Sequence, residues 1–262
     1  MRNILLTVEY DGTNFHGWQR QPEARTVQGE LEQVLSIVCR GPIQINGTSR
    51  TDAGVHALGQ RASFSGDFGI PADRLAYAVN NILSGGMNAT GKIGDIRIVE
   101  AKEVPEDFHA RYEAKGKKYV YRILNSEDIK IFARNYQYQV TKPLDFDAMK
   151  KAAKHIVGTH DFKCFQAAGG EEKKTTVRTV YSLELNKQGD EIQLEIKGDG
   201  FLYNMVRIIT GTLVDVGLGK ITPDQVKEII ESKDRQKAGH TAPPQGLYLA
   251  EVYYNIEDLV SL

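Results

Sequence analysis

Twice along this chain the spacing of apolar residues passes through the same series of periods, and no other feature narrows its fold as far. In the first pass Ile4, Leu6, Val8 and Tyr10 alternate with Leu5, Thr7 and Glu9, the period of two expected of a strand with one face better buried. Asp11-Gly12 ends that strand in a turn. Thr26 stands at a helix N-cap position, ahead of Val27, Leu31, Val34, Leu35 and Val38 on one helical face. Gly41-Pro42 stops the helix, Ile43 and Ile45 begin a short strand, and Val55 to Phe64 reads as the next. Pro71 opens a second helix with Leu75, Val79, Ile82 and Leu83 as its buried stripe. Gly85-Gly86 ends it, and Ile96, Ile98 and the run to Val104 make a strand. The order is β-α-β-β-α-β.

The second pass repeats that order in pattern, without repeating its letters. Tyr119, Tyr121 and Ile123 alternate as a strand. Phe146, Met149, Ala153, Ile156 and Val157 give a helical stripe ended by Gly158. Val177 to Asn186 and Glu191 to Lys197 form a hairpin around Gln188-Gly189-Asp190. Met205, Ile208, Ile209, Leu213 and Val216 predict a long helix stopped by Gly217 and Gly219. Thr222-Pro223-Asp224-Gln225 has the form of a capping box for one added helix, and Leu247 to Tyr254 is the last strand. Two split βαβ units in tandem predict an α/β (α+β) chain of two duplicated ferredoxin-like (βαββαβ) halves with a mixed antiparallel sheet. The expected halves are residues 1–104 and 105–262, divided near Pro105, and a central cleft between such halves is a common ligand site.

Charge narrows the function. There are 33 basic and 34 acidic residues, a net charge of -1, which excludes a generally basic nucleic-acid coat but not a local basic cleft. Cys39 and Cys164 lie far apart and outside any CxxC pair, which disfavours a disulfide framework or thiolate zinc site and fits a reducing cytoplasm. The apolar run in MRNILLTVEYDG is too short for a secretory signal, and no run approaches the roughly 18 residues of a membrane span. No GxxxxGK[ST], GxGxxG after a strand, HExxH or GxSxG is present, so an enzyme of this sequence is expected to work with side chains alone, without metal or cofactor.

The stretch TSRTDAGVHALGQ, Thr48 to Gln60, places Asp52 two residues after Arg50 and directly before Ala53-Gly54. One reading is a turn aspartate accepting backbone N–H bonds. The other is a nucleophile or base at a loop tip, kept ionised by a nearby arginine. Arg207, in FLYNMVRIITGTLVDVG, has Tyr203, Asn204, Thr210 and Gly211 at helical spacing. It is either an arginine snorkelling at the edge of a core or a guanidinium awaiting a carboxylate. KGKKYVYRIL sets Lys115, Lys117 and Lys118 before Tyr119 and Tyr121, either lysines solvating an edge strand or phosphate contacts beside a stacking tyrosine. FHGWQRQ holds the only tryptophan, Trp18, with Arg20, either an anchor for the next helix or a polar lip over a polyanion.

SRTDAGVHA resembles the catalytic-loop motif of tRNA pseudouridine synthases of the TruA type. YDGTNFHGWQRQ, FHAR at 108–111, KKYVYRI, GFLYNMVRIITG and APPQGLYLAEVYY resemble that family's other blocks, in the same order and across essentially the whole chain. One departure is Ser49, where the family often has glycine. The resemblance implies the pseudouridine synthase fold and a homodimer acting on tRNA. It implies isomerisation of uridine at positions 38, 39 and 40 of the anticodon stem-loop, with base flipping and no cofactor. It carries Asp52 over as the catalytic aspartate, Tyr119 as the active-site tyrosine and Arg207 as the arginine paired with the aspartate. Arg50 is implied to help extrude the target nucleotide, Leu247 to form an apolar pocket wall, and Arg20, Lys115, Lys117 and Lys118 to meet phosphates. A non-catalytic RNA-binding module of two ferredoxin-like halves is the rival expectation; it would have no use for a carboxylate facing phosphate.

Overall fold

The computed structural model describes residues 1–86, 94–170 and 174–260. In chain order the elements are β1 (Arg2–Tyr10), α1 (Val27–Cys39), β2 (Asn46–Gly47), β3 (His56–Gly66), α2 (Ala72–Leu83), β4 (Ile96–Val104), β5 (Gly116–Asn125), β6 (Tyr138–Val140), α3 (Phe146–Ala153), β7 (Gly158–Asp161), β8 (Val177–Gln188), β9 (Glu191–Gly198), α4 (Met205–Gly217), α5 (Gln225–Ser232), β10 (Leu247–Tyr253) and α6 (Ile256–Val260). The protein is a mixed α/β chain: β1 pairs antiparallel with β3 and β4, β2 with β3, β5 with β9, and β8 with β7 and β9, while β5 and β6 are parallel. Among the described residues no helix is long and apolar enough to cross a membrane.

The chain forms two compact units, one of Met1–Ala114 with Leu249–Tyr254, the other of Lys115–Tyr248 with the residues from Asn255 on. Pro105, where the sequence pattern places the division, lies inside the first unit. That unit also takes most of β10, the strand expected to close the second half.

In the first unit the strand order is β4-β1-β3-β10, with β2 also on β3. Ile4, Leu6 and Val8 are fully buried on the alternating face of β1, and Leu31, Leu35, Leu75 and Val79 of the two helices are equally inaccessible. Each such side chain contributes roughly 1.5–3 kcal/mol on leaving water. Thr26 caps α1 as expected, its hydroxyl accepting from the Gly29 N–H at 3.3 Å. The strand expected at Ile43 and Ile45 is not formed there; only Asn46–Gly47 pair with β3. The reason is local: Ile43 N–H donates to the Ser36 hydroxyl and Ile45 N–H to the Glu32 carboxylate, so α1 side chains take the donors a ladder would use. Gly59 of β3 lets the backbone of β10 approach, since a Cβ there would lie 2.5 Å from the Ala250 carbonyl oxygen.

In the second unit the order is β5-β9-β8-β7, with β6 beside β5. The β8–β9 hairpin turns through Gly189 at φ +58°. Helix α3 ends at Ala153, short of the expected Val157, although Ile156 is still fully buried. The capping box forms as read: Thr222 N–H donates to the Gln225 side chain at 2.8 Å and Gln225 N–H to the Thr222 hydroxyl at 3.3 Å. Of α4, only Arg207 is not buried.

Candidate functional site

The loop between β2 and β3 carries Arg50 and Asp52 in the first unit. It is bracketed on both sides. Thr48 N–H donates to the Arg61 carbonyl at 2.8 Å, and the Thr48 hydroxyl to the Ala110 carbonyl at 3.1 Å. Gln60, fully buried, donates to the Ser49 carbonyl at 2.7 Å and accepts from Ser49 N–H at 3.2 Å, closing a two-bond bridge across the loop. Tyr10 and Thr51 share a buried hydroxyl–hydroxyl bond of 2.7 Å.

The floor of the loop is the segment after β1. Trp18 N–H donates to the Thr51 carbonyl at 3.0 Å, and Gly12 N–H to Nδ1 of the buried His56 at 3.0 Å. The same nitrogen lies 3.2 Å from the Asp11 carboxylate, so the ring is held from both sides. Backbone meets backbone here: a Cβ on Gly12 would sit 2.0 Å from the Val55 carbonyl oxygen, and one on Gly17 2.6 Å from that of Thr51. Trp18 is 2% exposed and stands where a Cβ on Gly47 would be. It serves as the anchor of the two roles open to it, and its carbonyl accepts from Gln28 N–H in α1 at 2.9 Å.

On this frame Arg50 is exposed and Asp52 half-buried. A carboxylate so held is presented by a turn whose backbone has little freedom, and Gly54 at φ +78° gives the reversal after it. Ser49 is buried and its hydroxyl has no hydrogen-bond partner. Arg20, expected to meet phosphate, bonds Glu32 at 2.7 Å, a carboxylate that also receives Gln28 and Ile45 N–H. Arg25 pairs with Glu30 and Asp95 and lies over the Phe15 ring at 4.1 Å.

The other predicted residues stand in the second unit. Tyr119 lies in β5 opposite Ile196 of β9, 9% exposed, with Phe201 edge-on at 5.3 Å. Strand alternation puts Lys117 on the Tyr119 face and Lys118 on the other, where Lys118 pairs with Glu195 at 3.5 Å. Lys115 is exposed just ahead of the strand. Tyr121, on the Tyr119 face, is fully buried and donates to the Pro243 carbonyl at 2.6 Å. Burial pushes its hydroxyl well above the usual range, and the Arg207 charge pulls the other way. Leu247 is buried where β10 begins. Gly246 just before it lies against Tyr121, a Cβ there being 2.6 Å from that ring.

Arg207 projects from the first turn of α4. Its Nε donates to the Ala242 carbonyl at 2.8 Å and its Nη1 to the Asn204 side-chain oxygen at 2.7 Å. The segment carrying Ala242 lies across the helix at Gly211, where a Cβ would be 1.8 Å from the His240 carbonyl oxygen. It is tied down by Gly239 N–H to the Thr212 hydroxyl at 2.9 Å and by His240 Nδ1–H to Asp215 at 2.9 Å. Tyr138 sits within 3.1 Å of the other imidazole nitrogen. Sequence spacing placed Asn204 one turn from Arg207 but gave no sign of its bond to the guanidinium or of this strap.

Among the described residues, no set of three or more His, Cys, Asp or Glu is grouped to hold a metal. Burial raises the Cys39 thiol and pushes Cys164 up to about 12, which makes both poor nucleophiles. By sequence, Arg25, Arg61, Lys173, Lys174 and Arg178 offer an extension of the basic surface; of these Lys173 lies outside the described residues.

A family model described as tRNA pseudouridine synthase matches residues 6–113 and 152–255. The tRNA pseudouridine synthase A of Acetivibrio thermocellus is 50% identical over 254 residues, covering 97% of this chain and 100% of that protein. That of Thermoanaerobacter pseudethanolicus is 51% identical over 254 residues with the same coverage, 97% and 100%. That of Halalkalibacterium halodurans is 48% identical over 248 residues, covering 94% of this chain and 90% of its own. Identity of this extent, spanning both the Asp52 loop and the Arg207 helix, leaves one assignment: the chain belongs to the tRNA pseudouridine synthase family.

Proposed function

We propose that this protein converts uridine to pseudouridine in tRNA, and that its targets are the uridines at positions 38, 39 and 40 of the anticodon stem-loop. The N1–C1′ bond breaks, the uracil turns, and C5 bonds to C1′. A proton leaves C5 and one is gained at N1, so atoms and electrons balance without an oxidant, a nucleotide or a metal. In this reading Asp52 is the catalytic carboxylate. It attacks C1′ or C6, or takes a proton from C2′; each route needs an ionised carboxylate delivered to a nucleotide already out of its stack. Arg50, exposed two residues away, assists that extrusion, whose cost is on the order of a few kcal/mol. Tyr119 stacks on the flipped uracil, Leu247 walls it, and Arg207 keeps the carboxylate ionised in the reactive complex. Arg20, Lys115, Lys117 and Lys118 are the proposed phosphate contacts, with Arg20 exchanging Glu32 for phosphate. The reading includes a cytoplasmic homodimer.

The observation that best supports it is the Asp52 loop, a half-buried carboxylate on a turn bridged by Gln60 and floored by Gly12 and Gly17. A turn aspartate with a purely structural role does not need so rigid a mount. The test is release of tritium from uracil C5 in an unmodified tRNA transcript. Asp52→Asn is expected to lower release by at least about 10³-fold while changing tRNA affinity less than about threefold. Retained release in that variant removes Asp52 from the chemistry. Release that persists after the uridines at 38 to 40 are replaced removes the positional assignment. A wild type that binds tRNA and releases nothing is an RNA-binding module.

A further inference from the structure

We infer that Asn204 is a positioning residue whose carboxamide orients the Arg207 guanidinium for the reaction; the inference rests on the proposed role of Arg207. Asn204 is the N-cap of α4, yet its backbone is left-handed, at φ 59° and ψ 9°. Thr26 and Asp145 are extended N-caps that use their side-chain oxygens on the helix, accepting from Gly29 and Ala148 N–H, while Pro71 and Asp224 make no side-chain capping bond but keep negative φ. Asn204 makes no such capping bond. Two other non-glycine residues at positive φ, Arg40 and Lys233, close helices at their C-terminal ends, where that conformation is routine. At the start of a helix it is not. The chain therefore accepts a left-handed backbone and forgoes the cap, and the side-chain oxygen so released accepts from Arg207 Nη1 at 2.7 Å.

The second restraint comes from the opposite direction. The Ala242 carbonyl takes Arg207 Nε at 2.8 Å, and Ala242 N–H returns a bond to the Arg207 carbonyl at 3.0 Å. A guanidinium is planar, so two bonds to two of its nitrogens fix its plane. The backbone bond stays with any residue at 204. The bond to Nη1 depends on the side chain there.

Glycine separates the two roles, because it suits the left-handed backbone and removes only the carboxamide. The experiment measures tritium release at saturating tRNA, KM for tRNA and thermal midpoint for Asn204→Gly, Asn204→Asp and Arg207→Ala. For Asn204→Gly, kcat is expected to fall on the order of tenfold. KM should stay within about twofold and the thermal midpoint no lower than the parent's. Asn204→Asp keeps an acceptor for Nη1 and is expected to recover kcat to within about threefold of the parent. Parental kcat in Asn204→Gly alongside an inactive Arg207→Ala overturns the inference and leaves the role of Arg207 standing. So does an Asp variant no better than the Gly variant, or a loss in the Gly variant that tracks a lower thermal midpoint. Parental activity in Arg207→Ala overturns the role of Arg207, and the inference with it.

Discussion

Gly17 has φ +90° and faces the Thr51 carbonyl oxygen, which would lie 2.6 Å from an added Cβ. The same oxygen accepts Trp18 N–H, so it has little room to move without breaking that bond. Gly17→Ala is expected to cost about 2–4 kcal/mol in urea unfolding, from left-handed strain together with overlap, and to lower tritium release by displacing the Asp52 loop. Ser49 is the converse case. Its buried hydroxyl has no partner, and an unsatisfied group of this kind costs about 1–3 kcal/mol. Ser49→Ala should raise the free energy of urea unfolding by about 1 kcal/mol without moving the loop, because the Ser49 bonds to Gln60 are made by its backbone. The small residue that the resembling family often carries here follows from the same burial.

Strand β5 shows what an element adds to its residues. Read as letters, Lys115, Lys117 and Lys118 form one basic run. Read as a strand, the run divides, with Lys117 beside Tyr119 and Lys118 on the other face with Glu195. A single phosphate cannot be met from both faces. Lys117→Ala is expected to weaken tRNA binding and to reduce the slope of log K against log salt by about one, and Lys118→Ala to do so by less, because Lys118 must leave Glu195 to reach a phosphate. Filter binding across a salt series distinguishes them. Helix α4 carries the corresponding lesson for Arg207. Thr210 and Gly211, which spacing places on a polar stripe with it, are buried, the threonine hydroxyl bonding the Val206 carbonyl at 2.9 Å and the glycine admitting the His240 backbone. Arg207 is the one residue of α4 that is not buried, rather than part of a wet edge.

At the scale of the molecule, stability against acid depends in part on the strap over α4. Burial raises the Asp215 carboxyl, but hydrogen bonds from Lys220 and His240 outweigh it and hold the group below its ordinary 3.8. The folded value lies under the unfolded one. The stabilisation is therefore complete above 3.8 and is lost as pH falls through the lowered folded value. Asp215→Asn is expected to cost about 1–3 kcal/mol at neutral pH, with the gap to the parent narrowing as pH falls below the ordinary 3.8 and through the lowered folded value. Urea midpoints of the two proteins across that range check the sign. Tyr138, raised by burial and by Asp215, remains a hydroxyl throughout and can donate to His240.

The periods of two and 3.6 were enough to place most of the elements: β1, α1, α2, β4, the β8–β9 hairpin and α4 stand close to where the alternation of apolar residues puts them. That is because each buries one face, and a buried face is written into the spacing. Asp52, with Arg50 before it and Gly54 after it, was likewise visible as an unusual loop. What lay beyond the sequence were relations between distant residues. Spacing gives a strand its faces but not its neighbours, so β10 reads as the end of the second half although most of it is grouped with the first unit. Spacing gives a backbone donor but not its acceptor, so the strand predicted at Ile43 and Ile45 gave way to bonds with Ser36 and Glu32. Asn204 reads as one polar neighbour of Arg207 until its φ and its bond to Nη1 are known, and Gln60 like any strand residue until it is seen bridging Ser49. Local burial determines the elements; partners brought together from far along the chain decide what the polar groups among them do.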